Sequence, residues 1–156
     1  FLTEHGIGSY EELVERCDAV SAASIRTREG LRDTEQRMAN LALLRKQIDT
    51  YRKLKPVYDQ YKASKDKEKF LRGFESEVIL FEAAAREIKK AGLTKLPSVE
   101  KLKAELDGLA ARKTALQAEL RKIQREEKRY DTYRRNVDML LRQNFKMMQE
   151  NELELS

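Results

Sequence analysis

Arg121, Arg125, Lys128 and Arg135 follow one another at steps of four, three and seven residues. On a helix these steps bring the four cations to one face, where they could track a phosphate backbone. They stand in the most strongly charged stretch of the chain. From Arg112 to Arg142 ten basic residues (Arg112, Lys113, Arg121, Lys122, Arg125, Lys128, Arg129, Arg134, Arg135, Arg142) face five acidic ones (Glu119, Glu126, Glu127, Asp131, Asp138), a net of 10 − 5 = +5. The whole chain also carries +5, so this stretch holds its entire excess. The plainer reading is a solvated helix face, because the interspersed acids dilute the field and pair with the bases at spacings of three and four.

Other chemistry is scarce. His5 is the sole histidine and Cys17 the sole cysteine, so no His–Cys dyad, thiolate cage or internal disulfide can be assembled from the usual side chains. No glycine-rich phosphate loop is present. These absences lead to the expectation of a non-enzyme with no catalytic residue, no metal and no cofactor. Tyr130 and Tyr133 invite a base-stacking role, but Tyr130 falls on the apolar seam of its helix and reads as packing. Arg45, Lys113, Glu127 and Arg134 occupy similar seam positions, where polar residues fix register or partner choice.

The elements that must position these residues are helices. Charged residues make up 38% of the sequence, there is no Trp, and only 2 Pro and 6 Gly interrupt it. Ser9, Tyr10, Glu11 and Glu12 form a Ser-x-x-Glu capping box that predicts a helix start at Tyr10. From there Leu13, Cys17, Val20, Ser24, Thr27, Leu31, Thr34, Met38, Leu41, Arg45 and Ile48 recur at alternating steps of four and three, a heptad seam. Pro56 removes an amide and crowds the preceding turn, which predicts a break near Leu54 and Lys55 and a short helix after it. The polar string Ala63 to Asp66 separates this arm from a second helix, with Phe70, Phe74, Val78, Phe81, Ala85 and Ile88 on its apolar face. Gly92 suits the left-handed residue that closes it.

Ser98 is a plausible cap for a third helix, whose seam runs Leu102, Leu106, Leu109, Lys113, Leu116, Leu120, Ile123, Glu127, Tyr130, Arg134, Val137 and Leu141. A helix over 99–149 is about 75 Å long and needs a partner of like length, which the first helix offers. The expected fold is all-α. It is an elongated antiparallel coiled-coil hairpin with a shorter helix folded at the tip, helices at 10–54, 56–63, 67–91 and 98–149, and 1–156 as one module. No run approaches the roughly 18 apolar residues of a membrane span, so no membrane role is expected. A lone cysteine fits a cytoplasmic setting. The chain opens on Phe1, without an apolar leader, and so reads as a piece of a longer protein.

Several short stretches carry a resemblance. Phe1-Leu-Thr-Glu-His-Gly-Ile-Gly-Ser-Tyr-Glu-Glu-Leu13, Arg37-Met-Ala-Asn-Leu41, Tyr58 to Tyr61, and Gly92-Leu-Thr-Lys-Leu-Pro97 are together similar to the C-terminal region of bacterial relaxase/mobilization nuclease proteins. In that family a Leu-Pro connector follows a helix and precedes a long charged helix. The resemblance implies a parent protein that nicks DNA at a transfer origin with a tyrosine nucleophile and a metal-bound histidine cluster. Those residues belong to the family's N-terminal domain, so none is carried over and none of the six tyrosines is assigned as nucleophile. The expected function is a non-catalytic spacer or docking arm of such a DNA-mobilization protein. The alternative is direct nucleic-acid binding by the basic face. Partners would be DNA on that face, or proteins and second copies through the heptad seams.

Overall fold

A computed structural model describes residues 8–155. It is all-α: α1 spans Tyr10–Ala63, α2 Lys67–Lys90 and α3 Val99–Leu155, and the described residues include no strand. Each helix starts on a side-chain cap. Ser9 Oγ accepts the Glu12 amide at 3.1 Å, while the Glu12 carboxylate reaches back to the Gly8 amide at 2.8 Å. The capping box thus forms, with the carboxylate bonding one residue before the cap. Asp66 caps α2 by accepting the Lys69 amide at 3.1 Å, and Ser98 caps α3 by accepting the Lys101 amide at 3.1 Å. Gly92 takes the expected left-handed backbone after α2, with φ of 74°.

Two compact units share these helices. One is built from the chain before Asp33 and after Lys113, the other from Asp33–Lys113. The expectation of one module over 1–156 treats them together.

In the first unit the start of α1 runs antiparallel to the later part of α3. Tyr10 donates its hydroxyl proton to Asp138 at 2.8 Å, and a Cβ added to Gly30 would sit 3.6 Å from Leu116. Leu13 and Ile123 are buried here, as are the small polar seam residues Ser24 and Thr27. Side chains this small let two helices approach closely, and no buried side-chain nitrogen or oxygen among the described residues lacks a hydrogen-bond partner.

The second unit adds α2 to the same antiparallel pairing. Its core is Leu41, Ile48, Ile88 and Leu102, flanked by Leu44, Tyr51, Leu93, Leu96, Leu106 and Leu109. Ion pairs cross between α1 and α3 at Arg37–Glu105, 2.8 Å, and Glu35–Lys113, 3.5 Å. Both are largely exposed, so each contributes about 0.2–1 kcal/mol and mainly favours one register. Burying Ile48, Leu41 and Ile88 counts for more, at about 1.5–3 kcal/mol per side chain.

Pro56 does not break the first helix. The sequence places helices at 10–54 and 56–63, whereas α1 continues through Pro56 to Ala63. Packing on both sides of the proline explains the difference. Tyr51 stacks on Phe81 at 4.7 Å and Tyr58 stacks on the same ring at 4.3 Å, so one α2 side chain clamps the turns before and after the missing amide. The stack continues through Tyr61, Phe70 and Phe74. The irregularity lies in α2 instead, where Phe74 has φ −135° and ψ 22° beside Gly73, so the expected seam residue Phe74 is exposed. The outer ends also move: α2 stops at Lys90 with Ala91 as cap, and α3 starts at Val99 and runs on from 149 to Leu155.

Pro56 is itself exposed and denies the Arg52 carbonyl its helical donor. Pro56→Ala should therefore raise stability by about 1–2 kcal/mol, less than the full helix-interior penalty because proline also restrains the unfolded chain. Denaturant melts of the two proteins check this, and a loss of stability would show that the ring makes a contact the helix needs.

Candidate nucleic-acid interface

Arg121, Arg125, Lys128 and Arg135 all lie on α3 in the first unit, and all four are exposed. The seam residues between them, Ile123, Glu127 and Tyr130, are buried or half-buried, so the cations point away from the face that meets α1. Arg125 Nε donates to the Arg121 carbonyl at 3.4 Å, which draws that guanidinium back along the helix. Among the described residues none of the four is held in an ion pair.

Nearby acids are distributed to the same effect. Asp138 accepts the Tyr10 hydroxyl, and Glu127 and Asp131 line a shallow depression with Cys17, Asp18, Val20, Ser21, Tyr130 and Arg134. Glu126 stands apart, in a depression lined by Ala118, Lys122, Arg125 and Arg129. Three bases therefore surround one acid there. Lys122 and Arg129 belong with the cationic surface although the four-residue reading leaves them out. The steps 122, 125, 129 of three and four are the signal that finds them.

Tyr130 and Tyr133 meet edge to face at 6.1 Å, and both are half-buried. Their rings are engaged with each other, in the geometry of packed aromatics rather than of an open stacking platform. Of the polar seam residues, Lys113 pairs with Glu35 as a register device would, and Arg45 is half-buried. Arg134, expected on the seam, is exposed beside Asp131 and Cys17.

Among the described residues no group of three or more His, Cys, Asp or Glu is placed to hold a metal ion. His5 lies outside the described residues. No helix of the described residues is long and apolar enough to cross a membrane. No family model matches the chain, no curated protein matches it and no solved structure matches it.

Burial pushes the Cys17 thiol above its ordinary value; Asp131 and Asp18 add to the rise, and the Arg134 guanidinium opposes it. A raised thiol pKa means less of the nucleophilic thiolate at any pH below it. Iodoacetamide should therefore alkylate Cys17 more slowly than a free cysteine at about pH 8, with the rate still climbing above the ordinary thiol range. Arg134→Ala, which removes the opposing attraction, should slow it further. A rate equal to that of free cysteine would contradict the assignment.

Proposed function

We propose that this chain is a non-catalytic helical spacer or docking arm of a DNA-mobilization protein of the conjugative relaxase kind. The observation that carries the docking role is the end of α3. Its seam runs on past Asp138, the residue bonded to the first turn of α1, and Leu141, Phe145 and Met148 stand exposed beyond that point. Exposed large apolar residues at seam spacing are what a docking helix presents to a partner. The relaxase context is supported by the short sequence matches, and by the connector around Leu96 and Pro97 that joins α2 to the long charged α3. In such a parent the arm would work in the cytoplasm, beside the DNA being moved. The reading frame upstream of Phe1 tests the context: a histidine cluster with a nucleophilic tyrosine is the expected result, and a frame that lacks both would remove it.

A second reading, direct nucleic-acid binding, is favoured by the exposure of Arg121, Arg125, Lys128 and Arg135 on the side of α3 away from α1. Phosphate contacts carry no base information and release counterions. Replacing the four by Gln should therefore weaken binding to all sequences alike and flatten its salt dependence, while the helical signal is retained. Titration of labelled single and double strands at low and physiological salt compares the two proteins. Equal affinities would leave the arm to spacing and protein docking.

A further inference from the structure

Counted as a heptad, with Leu116, Ile123 and Tyr130 at position d and Leu120 and Glu127 at position a, α3 sorts its charges by face. Positions b, c and f lie on the side opposite this seam. Arg121, Lys128, Arg135 and Arg142 follow one another at b. Lys122 and Arg129 stand at c, and Arg125 lies between the two rows at f. From Thr114 to Gln143 every residue at these three positions is exposed, and none is acidic or aromatic. The acids of the stretch fall elsewhere: Glu127 on the seam, and Glu119, Glu126, Asp131 and Asp138 at the e and g positions that flank it. Earlier in the helix the same register sets Glu100 and Asp107 at b beside Lys101 at c, the mixture of signs that a merely solvated face carries.

The two cationic rows run side by side. Members of a row are seven residues apart, about 10.5 Å along the axis, and Arg121 to Arg135 spans about 21 Å. About 100° around the helix separates b from c, which sets the rows about 8–9 Å apart at the helix surface, and their long side chains diverge outward. Two parallel rows suit a ligand with two lines of negative charge, which a duplex has and a single strand has not. The major groove of B-form DNA is about 12 Å wide. One turn of the duplex is about 34 Å long, so a straight rod of this length can keep one row on each edge of a single groove. Arg125 and Thr132 then lie over the groove itself, but each is drawn back onto the helix: Arg125 Nε donates to the Arg121 carbonyl at 3.4 Å and Thr132 Oγ1 to the Lys128 carbonyl at 2.9 Å. Contact is therefore with phosphates rather than base edges. Single-strand sites depend instead on rings on which bases stack, and here Tyr130 and Tyr133 lie at d and g, set against each other.

We propose that the outer face of α3 over 121–135 is a track for double-stranded DNA. Arg121, Lys128 and Arg135 meet the phosphates of one strand, and Lys122 and Arg129 those of the other. The proposal rests on the nucleic-acid reading of this face and names the form of nucleic acid it takes. Glu126 opposes it, since this acid shares a depression with Lys122, Arg125 and Arg129.

Titration of the chain with a labelled DNA duplex of about 20 base pairs, one of its single strands and the matching RNA duplex tests it across a range of salt. Circular dichroism checks that each variant stays helical. The wild type should bind the DNA duplex at least about tenfold tighter than the single strand or the RNA duplex, whose major groove is deep and narrow. Lys122→Gln with Arg129→Gln removes one row. It should weaken duplex binding at least about tenfold and flatten the salt slope by about two units, while single-strand affinity stays within about twofold. Glu126→Gln should tighten duplex binding. A single strand or RNA duplex bound as tightly as the DNA duplex, or a row variant that weakens both DNA forms alike, would overturn the duplex track and leave the nucleic-acid reading standing. Failure of every form to bind at low salt would remove that reading and the track with it.

Discussion

The antiparallel pairing of α1 with α3 is the interaction on which everything else in this protein depends. Neither helix can bury its seam alone, and with so many charged residues the chain has little other apolar surface to hide. In the first unit the pairing runs from Tyr10 opposite Asp138 to Gly30 opposite Leu116, and in the second it runs along Glu35 with Lys113 and Arg37 with Glu105. The ion pairs are too exposed to add much stability. Burial of Leu13 and Ile48, both 0% exposed, supplies the larger contribution, and the charges act as a ruler for register.

The pairing also decides what each helix can show to the outside. Once the seam of α3 is committed to α1, residues one and two places off it face water, and those include Arg121, Arg125, Lys128 and their neighbours Lys122 and Arg129. The acids that would neutralise them are partly drawn to the other side: Asp138 bonds Tyr10, and Glu127 lies half-buried on the seam. A charge count along the sequence misses this sorting, because it adds bases and acids that never share a face.

Much of the fold was legible in the sequence because it is written in repeats and caps. Every residue of the α1 seam from Leu13 to Ile48 is buried or half-buried, including the polar Ser24, Thr27, Thr34 and Arg45. A hydrophobicity scale alone would discard those four; the heptad spacing keeps them. Ser9, Ser98 and Gly92 act as local chemistry predicts. The misreading at Pro56 has a tertiary cause. Local rules count the lost hydrogen bond, but they do not see that Phe81, remote in sequence, stacks on both Tyr51 and Tyr58. Phe74 fails in the opposite sense, since its spacing fits the α2 face while its backbone leaves the helical region next to Gly73. The division into two units was not legible either, because the seam gives no sign at Asp33 or Lys113 of a change in what it packs against. Of the candidate site, the four cations and their exposure were readable from spacing. The company they keep depends on which way Glu126, Glu127 and Asp138 turn.

Tyr10 meets α3 at Asp138, and that point separates two parts of one helix. As far as Val137 the heptad positions other than Arg134 are buried or half-buried, and the outer, basic face is left to solvent. Beyond Asp138 apolar side chains themselves become surface, among them Leu141, Phe145 and Met148, and the charge order changes from interspersed bases to Arg142 and Lys146 followed by Glu150, Glu152 and Glu154. A segment built only to be solvated would not keep leucine, phenylalanine and methionine at steps of four and three. Exposed leucine, phenylalanine and methionine at steps of four and three are the feature that gives the proposed arm a face on which to dock.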